Sequence, residues 1–351
     1  MIEAAITATS VLCAGGSGAE QVWACSRTRI SRIRNSSVMD ADLEPIPMGL
    51  VPEEALDPDD AELHSLGLPS RARRMLRLAA PTLRALPSSI GQQPLVLYLG
   101  LPELTATDAA WGDQFTEYLA ARTGLTLDQG ASRTFPLGRA AVLVALESAL
   151  VAMAADPSLS ILVGGVDTFF DLRLLATLGT EGRVLGPRVM DGFVPGEGAA
   201  FLLLSGLAAS EPVSRSAVIR GAASTTDPGH RYGTAPARGE GLAETLQLLR
   251  DRISSPIGPV GVTFGSLNGE SFDAKLWGVA RLRHNDLFSP RMVLEHPANC
   301  FGDTGAGAGA ILMALAATAV AAGHRAGPAL IWAASDHAMR GCAVFSSSLK
   351  Q

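Results

Sequence analysis

The chain has 351 residues, of which 47% are hydrophobic and 18% are charged, and its formal net charge is −6. This balance excludes a disordered chain, and the length allows a large buried core. The negative net charge gives no electrostatic reason to expect nucleic-acid binding. The one basic cluster consists of Arg71, Arg73, Arg74 and Arg77. We expect these arginines on the solvated face of a helix.

The cysteines are scattered along the chain, at Cys13, Cys25, Cys300 and Cys342. Without a CxxC pair or a histidine at metal-binding spacing, they indicate a reducing, cytoplasmic compartment with no metal site and no cofactor. The N-terminal apolar stretch contains Glu3 and has no basic residue before it, which argues against a signal peptide. The uncharged segment 304–323 consists mainly of Gly and Ala, so we expect a buried helix rather than a membrane span.

Hydrophobic periodicity predicts the first elements in the order strand, helix, helix, strand, helix, at residues 4–11, 19–25, 71–86, 94–99 and 109–122. Between the first two helices, residues 40–69 are rich in Pro, Asp and Glu and only weakly periodic. We expect this stretch to form an irregular surface insertion.

Residues 139–155 predict a helix that is apolar all round, with Glu147 as its one charge after Arg139. A helix of this kind belongs inside a protein. Pro157 cannot continue the helix, and the apolar strand SILVGGVD follows, ending at Asp167.

The same order returns later in the chain. Residues 305–322 predict a second helix that is apolar all round, and the apolar strand ALIWAASD follows it, ending at Asp336. Strands that are apolar throughout belong to sheets covered on both faces. The repeat therefore predicts an α/β protein with two similar halves, 1–207 and 208–351, in a duplicated five-layer α/β/α/β/α architecture.

The segment DGFVPGEG, residues 191–198, is followed by an apolar strand that runs to Leu204. It closely resembles the DGFVxGEG motif of the β-ketoacyl-acyl-carrier-protein synthases, which are condensing enzymes with a thiolase-like fold. ILVGGVD is similar to the strand that follows their first buried helix, and ITATSVLCAGGSGAEQVW to their first strand and glycine turn. The resemblance covers nearly the whole chain and implies the thiolase-like fold.

Enzymes of this family carry the acyl group on a Cys at the start of the first buried helix. Counting back along that helix puts Gly138 in the position of the Cys, and no cysteine lies between Cys25 and Cys300. Ser132 and Thr134 are the nearest hydroxyl groups, and neither has an evident base. The resemblance therefore implies that the nucleophilic thiol is absent.

The family also needs His and His, or His and Asn, to support decarboxylation and to stabilise the oxyanion. In the loop after the predicted strand 260–264, Gly265 or Ser266 stands in the place of the first histidine. Asn268-Gly269 in the same loop is typical of a tight turn.

The last polar group of the family precedes the second buried helix. Here Asp303 or Gly302 occupies its place, and an alternative role for Asp303 is to cap that helix. The family's preceding lysine is replaced by Pro297 or Ala298, and its glycine-rich GFGGxN loop by residues 335–341.

His296, Cys300 and His337 are the remaining candidates for chemistry. Cys300 and His296 are four residues apart in the loop that would face the ancestral site, which allows a Cys/His nucleophile. The alternative is a small, buried and inert cysteine.

These substitutions predict a degenerate family member without condensing activity. It would act as a partner or scaffold subunit, or bind an acyl chain or an acyl carrier protein, in fatty-acid or polyketide-type metabolism. The predicted role resembles that of chain-length-factor subunits, which pair with an active synthase. The alternatives are an acyltransferase or thioester hydrolase that uses relocated residues, and a small-molecule binder that uses the vestigial acyl tunnel.

We also expect a dimer. The resemblance implies that the strand at 160–166 pairs across a two-fold axis, which hides a sheet edge. A homodimer and a heterodimer with an active synthase both remain open at this point.

Overall fold

The computed structural model describes residues 2–87, 90, 94–105, 108–207, 216–253 and 256–348. The first regular elements are β1 (Ala4–Cys13), β2 (Gly16–Ser17), α1 (Ala19–Arg27), β3 (Arg34–Met39), β4 (Pro45–Met48), α2 (Ala61–Ser65), α3 (Ser70–Arg84), β5 (Val96–Leu101), α4 (Ala109–Thr123), β6 (Arg133–Pro136), α5 (Ala141–Ala155), β7 (Ser160–Thr168), α6 (Leu172–Thr180) and β8 (Glu197–Gly206). The remaining ones are β9 (Ala217–Thr226), α7 (Glu240–Arg252), β10 (Val260–Gly265), α8 (Ser271–Arg283), β11 (Phe288–Glu295), α9 (Ala298–Phe301), α10 (Ala308–Ala321), β12 (Ala329–Ala334) and β13 (Met339–Ser347).

Most of the strands form one continuous main sheet in the order β11-β10-β12-β13-β9-β1-β8-β7-β5-β6, with β2 added to β1, and β3 and β4 pair separately. The sheet folds over the two central helices α5 and α10, which share one apolar core with strands from both sides. A second core lies under α3 and α4, and a third under α7 and α8. The predicted five-layer α/β/α/β/α architecture is confirmed.

The two central helices differ in exposure. Helix α10 is almost entirely buried, as its sequence predicts. Helix α5 leaves one apolar stripe uncovered, with Val144 and Ser148 half-buried and Val151 60% exposed. Within the described part of the chain, the segment Gly138–Ala155 is the one helix long and apolar enough to cross a membrane, and 61% of it is buried inside the protein.

The basic cluster on α3 is not a solvated face, so that prediction is wrong. Arg74 is 7% exposed, and its Nε and Nη2 atoms lie 2.6 and 2.7 Å from the Glu197 carboxylate. Arg71 donates to Asp167 Oδ1 over 2.8 Å. Asp167, at the end of β7, also accepts a hydrogen bond from the Ala306 N–H, 3.0 Å away, just before α10. The arginines therefore fix α3 against the carboxyl ends of the central strands.

Two further expectations are corrected. The stretch 40–69 is only partly irregular, because it contains β4, which pairs with β3, and the short helix α2. The strand at 160–166 cannot pair with a second chain, because β7 is bonded on one side to β5 and on the other to β8. The end strands of the main sheet are β11 and β6.

The predicted division into halves at 207/208 stays a prediction, since residues 208–215 lie outside the described residues. The edges of the predicted halves pair directly, because β1 bonds to β9 through Ala4–Ile219 and Ala5–Val218. This pairing makes the sheet continuous from one half to the other.

Candidate functional site

The candidate site lies at the start of α5, where the resemblance puts Gly138 in the position of the family's nucleophile. Gly138 has φ +71°, a conformation that favours glycine, and a Cβ atom there would lie 3.2 Å from the Glu103 side chain. The Ser335 hydroxyl accepts from the Ala140 N–H over 3.0 Å and donates to the Leu137 carbonyl. The end of β12 thus holds the turn that leads into α5.

Arg139 follows Gly138 and occupies the centre of the site. Its side chain is 4% exposed, its Nε donates to Asp303 Oδ2 over 2.7 Å, and its Nη1 lies 3.0 Å from Asp336 Oδ1. Burial alone lowers the pKa of an arginine, but here the two carboxylates outweigh it and raise the pKa of Arg139 well above its ordinary value. The helical turn that leads into α5 therefore carries a fixed positive charge.

Asp303 stands opposite Arg139, before the turn Gly305–Gly307 that leads into α10. Its Oδ1 accepts from the Gly305 N–H over 2.9 Å, and its Oδ2 accepts from Asn268 Nδ2 over 2.9 Å. The carboxylate thus binds a backbone donor at the start of the helical turn and also neutralises Arg139. Neighbouring Gly302 has φ +79° and lies against the Pro195 backbone.

The loop after β10 carries no imidazole. A Cβ at Gly265 would lie 2.7 Å from the Trp332 indole, which leaves no room for a histidine. The Ser266 hydroxyl accepts from the Ala334 N–H over 3.1 Å, so it ties two strand ends together. Asn268 Oδ1 accepts from the Glu270 N–H over 3.1 Å, and Asn268 Nδ2 also reaches the Glu270 carboxylate.

A second layer of ion pairs surrounds Asp336. Arg183 donates to both Asp336 oxygens over 3.0 and 2.9 Å, and to the Glu270 carboxylate over 2.9 and 2.8 Å. Arg231 lies 3.0 Å from Glu270. Burial raises the pKa of a carboxyl group, but Arg139 and Arg183 hold the pKa of Asp336 well below its usual range. Arginine and carboxylate side chains from six separate segments therefore meet beside the start of α5.

The cavity beside this network is small. It has a volume of about 20 Å³ and lies between the loop after β10, helix α9 and the start of α10, with lining residues that include Ser266, Phe301, Asp303, Ile311 and Leu312. A single water needs about 10–15 Å³ measured in the same way. This cavity has room for about one water and none for an acyl chain.

The other predicted candidates lie apart from Arg139. Cys300 is 4% exposed, its thiol faces the Ser26 carbonyl at 4.0 Å, and burial raises its pKa. Within the described residues, no hydrogen bond joins it to His296, which is half-buried. The Ser132 hydroxyl accepts from the Leu97 N–H over 3.0 Å, and Thr134 lies on the edge strand β6.

His337 is the one histidine candidate that the structure brings to Gly138. It follows β12, and its Nδ1 lies 2.8 Å from Glu103 Oε2. The Glu103 side chain in turn lies 3.2 Å from the place that a Cβ atom at Gly138 would occupy. Across the described ranges, no three His, Cys, Asp or Glu side chains converge as a metal site would require.

The sequence analysis did not predict that several residues would form this charged network. They are Arg139, Arg183, Asn268, Glu270 and Asp336. One signal was available, since Asp336 ends the second of the two repeated helix–strand units. Most of the other partners lie far apart in the chain, for example Asn268 and Asp303 at 35 positions and Arg139 and Asp303 at 164 positions.

These layers and this site define a ketosynthase-type, thiolase-like fold. The chain is similar to the ketosynthase from module 6 of the bacillaene synthase from Bacillus subtilis 168, with a TM-score of 0.77 and 15% identity over 99% of this chain and 72% of the other. It is similar to the ishigamide ketosynthase/chain length factor, with a TM-score of 0.73 and 18% identity over 97% of this chain and 98% of the other.

A third similar structure is a type II polyketide synthase acyl-carrier protein in complex with its ketosynthase, AntDE:AntF, at a TM-score of 0.75 and 14% identity. The similarity covers 98% of this chain and 99% of that one. No protein-family model and no curated protein sequence matches the chain. At these identities the structural similarity shows the fold.

Proposed function

We propose that this chain is a ketosynthase-fold subunit without condensing activity, which pairs with an active ketosynthase in polyketide-type or fatty-acid metabolism in the cytoplasm. The observation that carries the proposal is the buried Arg139, bound by Asp303 and Asp336 at the start of α5. Condensation needs a thiolate at this place. A guanidinium stays protonated in proteins and cannot accept the acyl group.

The other two ancestral positions support the same proposal. Gly265 has no space for an imidazole because of Trp332. Asp303 is an anion held in an ion pair, and an anion destabilises a developing oxyanion instead of stabilising it. The ancestral site therefore serves the stability of the fold.

The uncovered stripe of α5 supports a partner role. Val144, Ser148 and Val151 follow one another at helical spacing and lie on one face. The helix packs against β6, which is an end strand of the sheet. An apolar stripe next to an unpaired edge is the kind of surface that a second chain covers. A second ketosynthase-fold chain offers an equivalent edge, and a two-fold arrangement brings the two together.

The ishigamide ketosynthase/chain length factor and the AntDE:AntF complex guide the choice of partners. From the first we propose a heterodimer with an active ketosynthase. From the second we propose that an acyl carrier protein serves the pair.

The loss of condensation is tested by incubating the protein with an acyl thioester and a malonyl carrier protein, with an active ketosynthase as positive control. We expect neither a β-ketoacyl product nor an acyl adduct in the intact-protein mass spectrum. A β-ketoacyl product formed by this chain alone would contradict the proposal.

Pairing is tested with Val151→Glu, which places a carboxylate on the stripe. Burying an unpaired charge costs several kcal/mol, so we expect at least tenfold weaker pairing with an active ketosynthase from the same source. The matched control is Leu282→Glu, since Leu282 is 79% exposed on the outer helix α8. Light scattering and co-purification give the stoichiometry. Unchanged pairing in Val151→Glu, or a homodimer that excludes the ketosynthase, contradicts the proposed heterodimer.

A further inference from the structure

Loops from distant parts of the chain meet at the outer side of Gly138. Glu103 follows β5, and His337 lies between β12 and β13. His337 Nδ1 lies 2.8 Å from Glu103 Oε2, and the His337 backbone N–H donates to Glu103 Oε1 over 3.1 Å. The carboxylate therefore holds both the ring and the backbone of the histidine.

Two rings from the loop after β9 pack beside the His337 imidazole. The Tyr232 and His230 ring centroids lie 5.1 and 5.6 Å from that of His337. The Tyr232 hydroxyl donates to Glu181 over 2.8 Å and accepts from Arg183 over 3.0 Å, so this ring is itself fixed. The His337 side chain is 56% exposed, and within the described part of the chain its Nε2 has no hydrogen-bond partner.

An imidazole with one nitrogen bound to a carboxylate and the other free and accessible is the arrangement of a general base. We propose that His337 and Glu103 hydrolyse acyl thioesters at this site, with His337 as catalytic residue and Glu103 as positioning residue. This activity goes beyond the partner role, and the choice of a thioester rests on the proposed function, which places acyl carriers at this fold.

In the reaction, His337 Nε2 takes a proton from water while the water oxygen bonds to the thioester carbonyl carbon. The carbonyl π electrons move to the oxygen and form an oxyanion. When the oxyanion collapses, the C–S bond breaks and the imidazolium returns its proton to the leaving sulfur. The products are a carboxylic acid and a free thiol, and no external oxidant or reductant is needed.

In this proposal the start of α5 would stabilise the oxyanion. The N–H groups of Gly138 and Arg139 begin the helical segment, so no carbonyl within that segment accepts them. They lie at the positive end of α5, which favours a developing negative charge. Glu103 lies near both, because it binds His337 and a Cβ atom built at Gly138 would lie 3.2 Å from its side chain.

The test uses the full-length protein and octanoyl-N-acetylcysteamine, with thiol release followed by Ellman's reagent. The protein's own cysteines are buried and free, at Cys13, Cys25, Cys300 and Cys342, and give a low background. We expect His337→Ala to lower kcat about 100-fold, the low end for a lost general base, and added imidazole to restore part of it. Glu103→Gln should lower kcat with KM unchanged, because the carboxylate orients the imidazole and does not bind the substrate.

The matched control is His64→Gln, because His64 is also exposed and pairs with a carboxylate, Asp59, at 3.2 Å. It should keep full activity. No thiol release by the wild-type protein, or release that His337→Ala leaves unchanged, overturns the inference. Turnover of p-nitrophenyl octanoate without turnover of the thioester overturns the assignment to thioesters. Each of these outcomes leaves the partner role to be judged separately, by the pairing of Val151→Glu.

Discussion

Replacement of Arg139 by methionine tests whether the charged network stabilises the fold. Arg139 and Asp303 are 4% and 2% exposed at their side chains, and the Nε–Oδ2 distance is 2.7 Å. In Arg139→Met, Asp303 keeps Asn268 and the Gly305 N–H but loses its countercharge. Removing one partner of a buried ion pair costs about 3–5 kcal/mol, because the other charge stays buried without compensation.

Asp336 contributes less to this loss in the free energy of unfolding. It keeps both hydrogen bonds from Arg183, so its charge stays compensated. In the double variant Arg139→Met/Asp303→Asn both charges are gone, and the new amide oxygen at position 303 would still accept from the backbone. We expect this variant to lie within about 1 kcal/mol of the wild-type protein, as exchange of a buried pair for neutral groups is often tolerated.

The assay is urea unfolding followed by far-UV circular dichroism, on the wild-type protein, both single variants and the double variant. The free energy of unfolding should fall most in Arg139→Met. It should fall less in Asp303→Asn, where Arg139 retains Asp336 at 3.0 Å. A single variant Arg139→Met as stable as the wild type, or a double variant whose loss equals the sum of the single losses, would refute the reasoning.

Three further outcomes follow from buried groups. Burial raises the pKa of Asp273 from 3.8 to about 7, so the folded state binds this proton more tightly and loses stability as the pH rises from about 4 to 7. Asp273→Asn should remove that loss, which is about 3 kcal/mol between pH 5 and pH 8 at about 1.4 kcal/mol per pKa unit, and urea unfolding at those two pH values measures it. Gly265→Ala should lower the melting temperature because its Cβ meets Trp332 at 2.7 Å, whereas Gly278→Ala, with nothing within 4 Å on α8, should raise it. Cys300 should resist iodoacetamide in the native protein and react after unfolding, because burial keeps its thiol protonated, and mass spectrometry shows the difference.

The fold was predictable for those segments whose own amino-acid composition determines how far they are buried. Helix α10 and strand β12 carry no charged side chain, and the structure buries both almost completely. Helix α5 reads the same way in sequence, yet it leaves Val151 exposed. Apolarity alone does not predict which residues of a helix the rest of the chain covers.

The charged residues were predictable only in part. The arginines of α3 have the spacing of a solvated face, but the partner of Arg74 is Glu197, which lies 123 positions away. The same holds for Arg139 and Asp303, which are 164 positions apart. Periodicity within one helix carries no information about a distant carboxylate, so both ion pairs required the three-dimensional structure. The edge strand β6 was missed for a similar reason, because four residues give too short a pattern.

The capping contacts at the two central helices have a consequence for how the chain holds together. The Asp167 carboxylate, at the end of β7, binds the Ala306 N–H before α10, and the Ser335 hydroxyl, after β12, binds the Ala140 N–H before α5. Each repeat therefore completes the first turn of the other's helix. A fragment that contains one repeat lacks its cap and half of the shared core. We therefore expect the two repeats to unfold together in a single cooperative transition.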